Sequence, residues 1–297
     1  MRKELQFYYE VMRKRYRKGT SHALRKKVKY ISRTLFYYPY SMELANFIMQ
    51  HSYLSKTIDQ YPMITEKLHK PYMRFSFTAK EKLEVIFSSY AYLDRYFRDE
   101  VLQELYSKGK IKVVDIQGKE DCKLSAYLKL YPDFDKEGEF NLLLYQGEIL
   151  LSTLTFAVWK HHMFIGGLQG LGRIYKDPEI LKKVTKNFYG LFPKRILMEV
   201  FYHLFPESKI AVGNANHIYL AQRYRYKKER KVKADYDEFW ESLGGIQRED
   251  GLWELAETIA RKPIEEIPSK KRSQYRSRYQ ILDTIQESVA NFLINTK

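Results

Sequence analysis

The chain has 297 residues, 44% hydrophobic and 30% charged, enough for one large domain or two ordinary ones. Fourteen glycines, nine prolines and an aromatic content of 15% exclude collagen-like, low-complexity and disordered classes. Lys and Arg exceed Asp and Glu by 52 − 36 = 16 charges, so the expected partners are anionic: nucleic acid, phosphorylated cofactors or an acidic membrane surface.

Basic residues return at Arg13, Lys14 and Arg15 before an apolar signal region forms. The most apolar stretch, Ile149 to Trp159, is about half the length of a spanning helix. A cytoplasmic location is expected, soluble or peripheral on a membrane. The single Cys122 cannot form an internal disulfide.

Residues 1–110 read as helical. Leu5, Tyr8, Met12 and Tyr16 share one helical face, and Gly19 supplies a stop. A second apolar face follows at Leu24, Val28, Ile31 and Leu35. From Met1 to Leu35 there are twelve basic residues against Glu4 and Glu10, an imbalance of 12 − 2 = 10. Such helices either lie on an anionic bilayer or dock their apolar stripes on the rest of the protein. Thr78-Ala79-Lys80-Glu81 is a capping box, opening a helix with Leu83, Ile86, Phe87, Tyr90, Leu93 and Phe97 inward. Lys108-Gly109-Lys110 ends this part.

The middle changes period. Ile111–Val114 reads as a short strand, and Glu139–Tyr145 and Glu148–Ala157 as two strands around a tight Gln146-Gly147 turn. Met163–Gly166 is a third strand running into Gly166, Gly167, Gly170 and Gly172. Asp177-Pro178-Glu179 opens a helix that stops near Gly190, Pro193 opens another, and Ile210–Gly213 returns to strand. The last third reads as helical and polar, with an Arg/Lys-rich run at 222–233, an acidic-aromatic cluster from Asp235 to Trp240, and a final helix after Pro268. The expected fold is therefore α/β (α+β), with a helical N-terminal region at 1–75 and an α/β domain at 76–297. Its central mixed sheet spans about 111–220 and its C-terminus is helical.

Four sets of residues carry possible chemistry. Gly167, Gln169, Gly170 and Gly172 could expose backbone N–H groups to phosphate oxygens, or the glycines could serve a bulge or a crowded crossing. Asn214 and His217 follow a strand end, where ligands gather in α/β folds; capping the next helix is the alternative. Asp237 and Glu238 could act with His217 as acid–base groups, or neutralise neighbouring cations. Lys270, Lys271, Arg272 and Arg276 form an anion-binding set on the last helix, or a solvated face. His161 and His162 are adjacent and, on a strand, point to opposite faces, so no metal site is expected.

Several ordered blocks resemble the bacterial VirK/YbjX family. They are Glu137-Gly138-Glu139, Ile165-Gly166-Gly167-Leu168-Gln169-Gly170, Thr185-Lys186, and Gly190-Leu191-Phe192-Pro193-Lys194-Arg195. Further on come His217, Asp235-Tyr236-Asp237-Glu238-Phe239-Trp240, and Ser269-Lys270-Lys271-Arg272 with Tyr275, Arg276, Arg278 and Tyr279. The resemblance implies a virulence-associated, envelope-defence role in Gram-negative bacteria: resistance to cationic antimicrobial peptides and lipid A homeostasis at the cytoplasmic face of the inner membrane. Its partners would be an anionic membrane surface or the envelope-biosynthesis machinery. The element order also resembles the core of the GNAT acyltransferases, which implies acyl-coenzyme A as cofactor and an acyl- or acetyltransferase activity. Net charge and the Arg/Tyr interleaving at 222–233 and 270–279 leave nucleic-acid binding as a third reading.

Overall fold

The computed structural model describes residues 2–17, 22–171, 178–218 and 235–297. Six helices come first: α1 (Lys3–Arg15), α2 (Ala23–Phe36), α3 (Tyr38–Gln50), the single turn α4 (Leu54–Thr57), α5 (Ala79–Tyr96) and α6 (Asp99–Lys108). A 3-10 segment, Pro62–His69, lies between α4 and α5. Five strands follow: β1 (Lys110–Gln117), β2 (Lys123–Leu130), β3 (Phe140–Gln146), β4 (Ile149–Trp159) and β5 (His162–Gln169). Then come α7 (Pro178–Asn187), α8 (Pro193–Leu204), β6 (Lys209–Val212), α9 (Tyr236–Ser242), β7 (Ile246–Gln247), β8 (Leu252–Leu255) and the long α10 (Ser269–Thr296).

Local chemistry accounts for most boundaries. The Thr78 capping box forms in both directions: its hydroxyl accepts from Glu81 N–H, and its own N–H donates to the Glu81 carboxylate at 2.8 Å. Gly109 closes α6 at φ +75°, in the left-handed region that glycine enters freely. Pro193 begins α8 where its missing N–H is harmless.

The eight strands make one mixed sheet in the order β1-β2-β3-β4-β5-β6-β8-β7. Strands β1 to β5 are an antiparallel meander. Only β5 and β6 run parallel, paired from Met163 with Lys209 to Ile165 with Ala211, and α7 and α8 carry the chain across. Beyond Ile165 the residues of β5 pair only with β4. Helix α5 packs on β4, α8 on β3 and β4, and α10 on α8 and β1. One core runs from Leu44 to Val289, and a satellite core of Tyr8, Met12, Tyr30, Met42 and Ala45 binds α1, α2 and α3 together.

Three sequence expectations change. The strand β2 was not anticipated, although Leu124, Ala126, Leu128 and Leu130 are buried at alternate positions. The last third also holds strands β7 and β8. Most of the apolar face expected of α2 is turned outward: Leu24, Val28 and Leu35 are 76, 61 and 52% exposed, as is the neighbouring Phe36 at 79%, whereas Ile31 of that face is half-buried against the satellite core. The face that docks is set by polar anchoring. Tyr30 Oη donates to Thr65 Oγ1 at 2.8 Å, and the buried Thr34 lies 3.4 Å from His69 Nε2. Gly19 and the basic run 222–233 fall outside the described residues.

Candidate functional site

The glycine pair at the end of the parallel pairing is explained by what crosses it. A Cβ on Gly166 would stand 2.0 Å from the carbonyl oxygen of Glu137, and one on Gly167 would stand 2.0 Å from Glu137 Oε2. Gly138 is pressed as closely on β4, where a Cβ would meet Phe156 O at 2.4 Å. The loop of Glu137 is thus threaded against β4 and β5 at a distance only glycine allows. Gly167 therefore serves this crossing and presents no open cradle to a phosphate. Gly170 is different: among the described residues the nearest atom to its Cβ position is Lys194 Cε at 3.4 Å. Gly172 lies outside the described residues.

Glu137 is fully buried, and its Oε1 faces His217 Nε2 at 3.7 Å, with His217 only 3% exposed. The imidazole stacks on Tyr236, whose ring lies 5.3 Å away at 18°. The Tyr236 hydroxyl accepts from Gln169 Nε2 at 3.2 Å and from Leu168 N–H at 3.4 Å. Arg74 joins from the other side through a backbone bridge to His217, and its guanidinium donates to Asp250 O at 2.6 Å. A buried carboxylate facing an imidazole can hold and pass a proton. His217 and Gln169 are therefore brought together, through Tyr236, beside the end of the parallel strand pair.

The other expected residues divide. Asp237 Oδ1 accepts from Asn214 N–H at 2.9 Å and from Trp253 Nε1 at 2.8 Å. The Asn214 amide donates to Asp235 at 2.8 Å, and its oxygen accepts from Tyr236 N–H at 3.0 Å. Asn214 and Asp237 thus form a latch that fastens α9 to the end of β6. Asp235 caps α9, and those hydrogen bonds to Asn214 and the helix N–H groups lower its pKa. Glu238 is exposed on the first turn of α9.

On α10, Arg272 donates to Ile267 O at 2.9 Å and Glu265 O at 3.1 Å, clamping the preceding loop. Lys270, Lys271 and Arg276 are exposed. Among the described residues, no hydrogen bond or ion pair links those three to the His217 cluster.

A second buried group supports the Glu137 loop. Lys67 Nζ lies 2.6 Å from Glu139 Oε1 and 2.9 Å from Gly138 O, with both side chains at most 1% exposed. Tyr72 and Tyr90 also donate to the Glu139 carboxylate. Burial pulls the Lys67 ammonium below its ordinary pKa, and Glu139 opposes that shift. Lysine 194, beside Gly170, is likewise lowered by burial.

Sequence reasoning placed Glu137 in a family block without a role. Its burial, and the partnership of Tyr236 and Arg74 with His217, depend on residues far apart in the chain.

The family described as "Protein of unknown function (DUF535)" matches residues 19–291. The "Uncharacterized protein YbjX" of Escherichia coli is 36% identical over 271 residues, covering 88% of this chain and 82% of that protein. An "Uncharacterized protein" of Haemophilus influenzae is 26% identical over 262 residues, covering 88% of each chain. No solved structure matches the chain significantly.

Proposed function

The chain belongs to that family, DUF535, and we propose that it is a peripheral protein of an anionic membrane surface, docking through α2. The observation that carries this is the outward stripe of Leu24, Val28 and Leu35, with the exposed Phe36, Arg25, Lys26 and Lys29 on the adjoining arc of the same helix. On a helical wheel the three aliphatic residues lie within one narrow sector, so the stripe can enter a headgroup layer as a unit. The cations then lie level with lipid phosphates, each contributing about 1 kcal/mol near such a surface. A net charge of +16 favours the same partner. No helix among the described residues is long and apolar enough to cross a membrane, so attachment through this stripe is interfacial. In this reading the protein serves the envelope-defence role implied by the VirK/YbjX resemblance, acting from the cytoplasmic face of the inner membrane.

The test is flotation with vesicles of neutral or anionic lipid at rising salt. Binding to anionic vesicles that weakens with salt but persists through the apolar contact supports the reading. Equal indifference to both vesicle types at low salt overturns it.

A second reading, acyl transfer on a GNAT-like shell, is favoured by the element order: hairpin, glycine-bearing strand, helices, parallel strand and polar loop. The described residues fit acyl-coenzyme A at one point only. A Cβ on Gly170 would meet only Lys194 Cε, at 3.4 Å, among the described residues, whereas the space at Gly166 and Gly167 is filled by Glu137.

A further inference from the structure

The turn between α7 and α8 separates two cavities that share Gly190. The first, about 690 Å³ and open to solvent, is lined by Lys119, Lys182, Lys186, Thr185 and Gln274. The second, about 330 Å³, is lined by Arg195, Arg261, Lys262 and Arg278 with Tyr275 and Tyr279. Seven cationic side chains therefore surround one turn.

Three of the seven are neutralised. Lys182 pairs with Glu179, Arg195 with Glu199, and Arg261 with Asp283. The remaining four, Lys119, Lys186, Lys262 and Arg278, have no carboxylate within 4 Å among the described residues. Arg278 is fixed in place as the partition. Its Nε and Nη2 donate to Tyr189 O at 3.0 and 2.8 Å, and its guanidinium lies 4.1 Å from the centre of the Tyr275 ring. The backbone comes close to it: Gly190 sits at φ +83°, and a Cβ there would be 2.5 Å from Nη2. Lys119 is held 4.2 Å from the Tyr189 ring centre on the outer side. Lys270, Gln274 and Arg278 recur every four residues along one stripe of α10, so a fifth cation stands one turn away from the cleft.

We propose that this double cleft binds a phosphomonoester or pyrophosphate group, with Lys119, Lys186 and Arg278 supplying charge and Thr185 and Gln274 supplying neutral donors. A tetrahedral dianion takes several donors from different directions, as the lining offers, and it relieves the repulsion among four unneutralised cations. A single carboxylate would leave most of that charge uncompensated. The phosphate could belong to a soluble molecule or to a lipid headgroup. The proposal is independent of the docking of α2.

The experiment is calorimetric titration of the full chain with inorganic pyrophosphate at low salt, comparing wild type, K119Q/K186Q and the control K3Q/K80Q. All four lysines are solvent-facing, so the variants keep the fold, which a melting curve verifies. Saturable binding that loosens at least tenfold in K119Q/K186Q and less than twofold in the control is the expected result. Absence of saturable binding at millimolar pyrophosphate, or equal loss in the control, overturns the site. A parallel arm compares vesicles of phosphatidic acid and phosphatidylglycerol at matched charge. A preference for phosphatidic acid that K119Q/K186Q loses places the phosphate on a lipid. Pyrophosphate binding without that preference makes the ligand soluble, and both results sustain the site. Loss of vesicle binding caused by α2 substitutions leaves pyrophosphate binding unchanged, so the two proposals fail separately.

Discussion

Replacing Lys67 by methionine should destabilise the fold strongly, and the environment of the side chain sets the magnitude. The ammonium is 1% exposed and Glu139 is fully buried, with 2.6 Å between their charged atoms. Methionine removes the one cation paired with this carboxylate among the described residues and leaves two phenol donors, Tyr72 and Tyr90. A buried charge stripped of its partner costs about 3–5 kcal/mol. Replacing both partners should cost far less, because K67M/E139L leaves no buried charge. The two phenols then lose an acceptor at about 1 kcal/mol each, and apolar packing offsets part of that. Urea unfolding of wild type, K67M, E139L and the double variant at pH 7 gives a thermodynamic cycle. The coupling should exceed about 3 kcal/mol, given that each single change strands one buried charge. A K67M protein within about 1 kcal/mol of wild type, or single effects that simply add, would refute the argument.

Two further outcomes are expected. Burial holds Lys82 and Lys209 near pKa 8 against an ordinary 10.5, so both states are protonated below pH 8 and the burial penalty is then fully present. Above pH 8 the unfolded chain holds lysine protons that the folded chain does not, and this contribution to stability rises with pH, by up to about 3 kcal/mol per lysine. The net sign reverses before pH 10, because the many buried tyrosines, Tyr8, Tyr72 and Tyr90 among them, keep protons that the unfolded chain begins to lose. Denaturant midpoints across pH 7–11 should therefore peak at about pH 9 in wild type, and Lys82→Met should remove much of the rise; a steady fall from pH 8 would contradict this. If the acyl-transfer reading holds, acyl-coenzyme A at about a hundredfold its dissociation constant adds about 2.7 kcal/mol, seen as a higher melting temperature. Gly170→Asp meets only the flexible Lys194 side chain among the described residues and should abolish the shift by repelling phosphate, while no shift in wild type at millimolar ligand removes the reading.

The parts of this fold readable in the chain are those specified locally. The Thr78 box, the Gln146-Gly147 turn, Pro193 and the glycine at 109 each act within a few residues, and each marks a boundary. Strand β2 carried a period-two signal, Leu124-Ala126-Leu128-Leu130, interleaved with Lys123, Tyr127 and Lys129 so that its mean character is polar. The two residues of β7 and four of β8 are too short to show a period. For α2, periodicity located an apolar stripe but not its side; Tyr30 and Thr34 turn a different face inward through partners 35 residues away. The site shows the same division. Asn214 and His217 were found from their place after a strand, yet their roles differ because Asp235, Asp237 and Glu137 reach them only in the folded chain. Gly166 and Gly167 were visible as glycines, and the reason for them is a carboxylate and a carbonyl from a loop 29 or 30 residues earlier.

The most direct test of membrane docking is the partition coefficient of wild type and L24Q/L35Q between buffer and anionic vesicles. The two leucines are 76 and 52% exposed and lie on one sector of α2, so glutamine there leaves the core untouched. At about 2 kcal/mol for a leucine fully transferred, their exposed fractions are worth roughly 2.5 kcal/mol, or about 60-fold in partition. L24Q/L35Q should keep the wild-type melting temperature and lose binding by about that factor. A variant that partitions as wild type does would show that α2 is not the docking element.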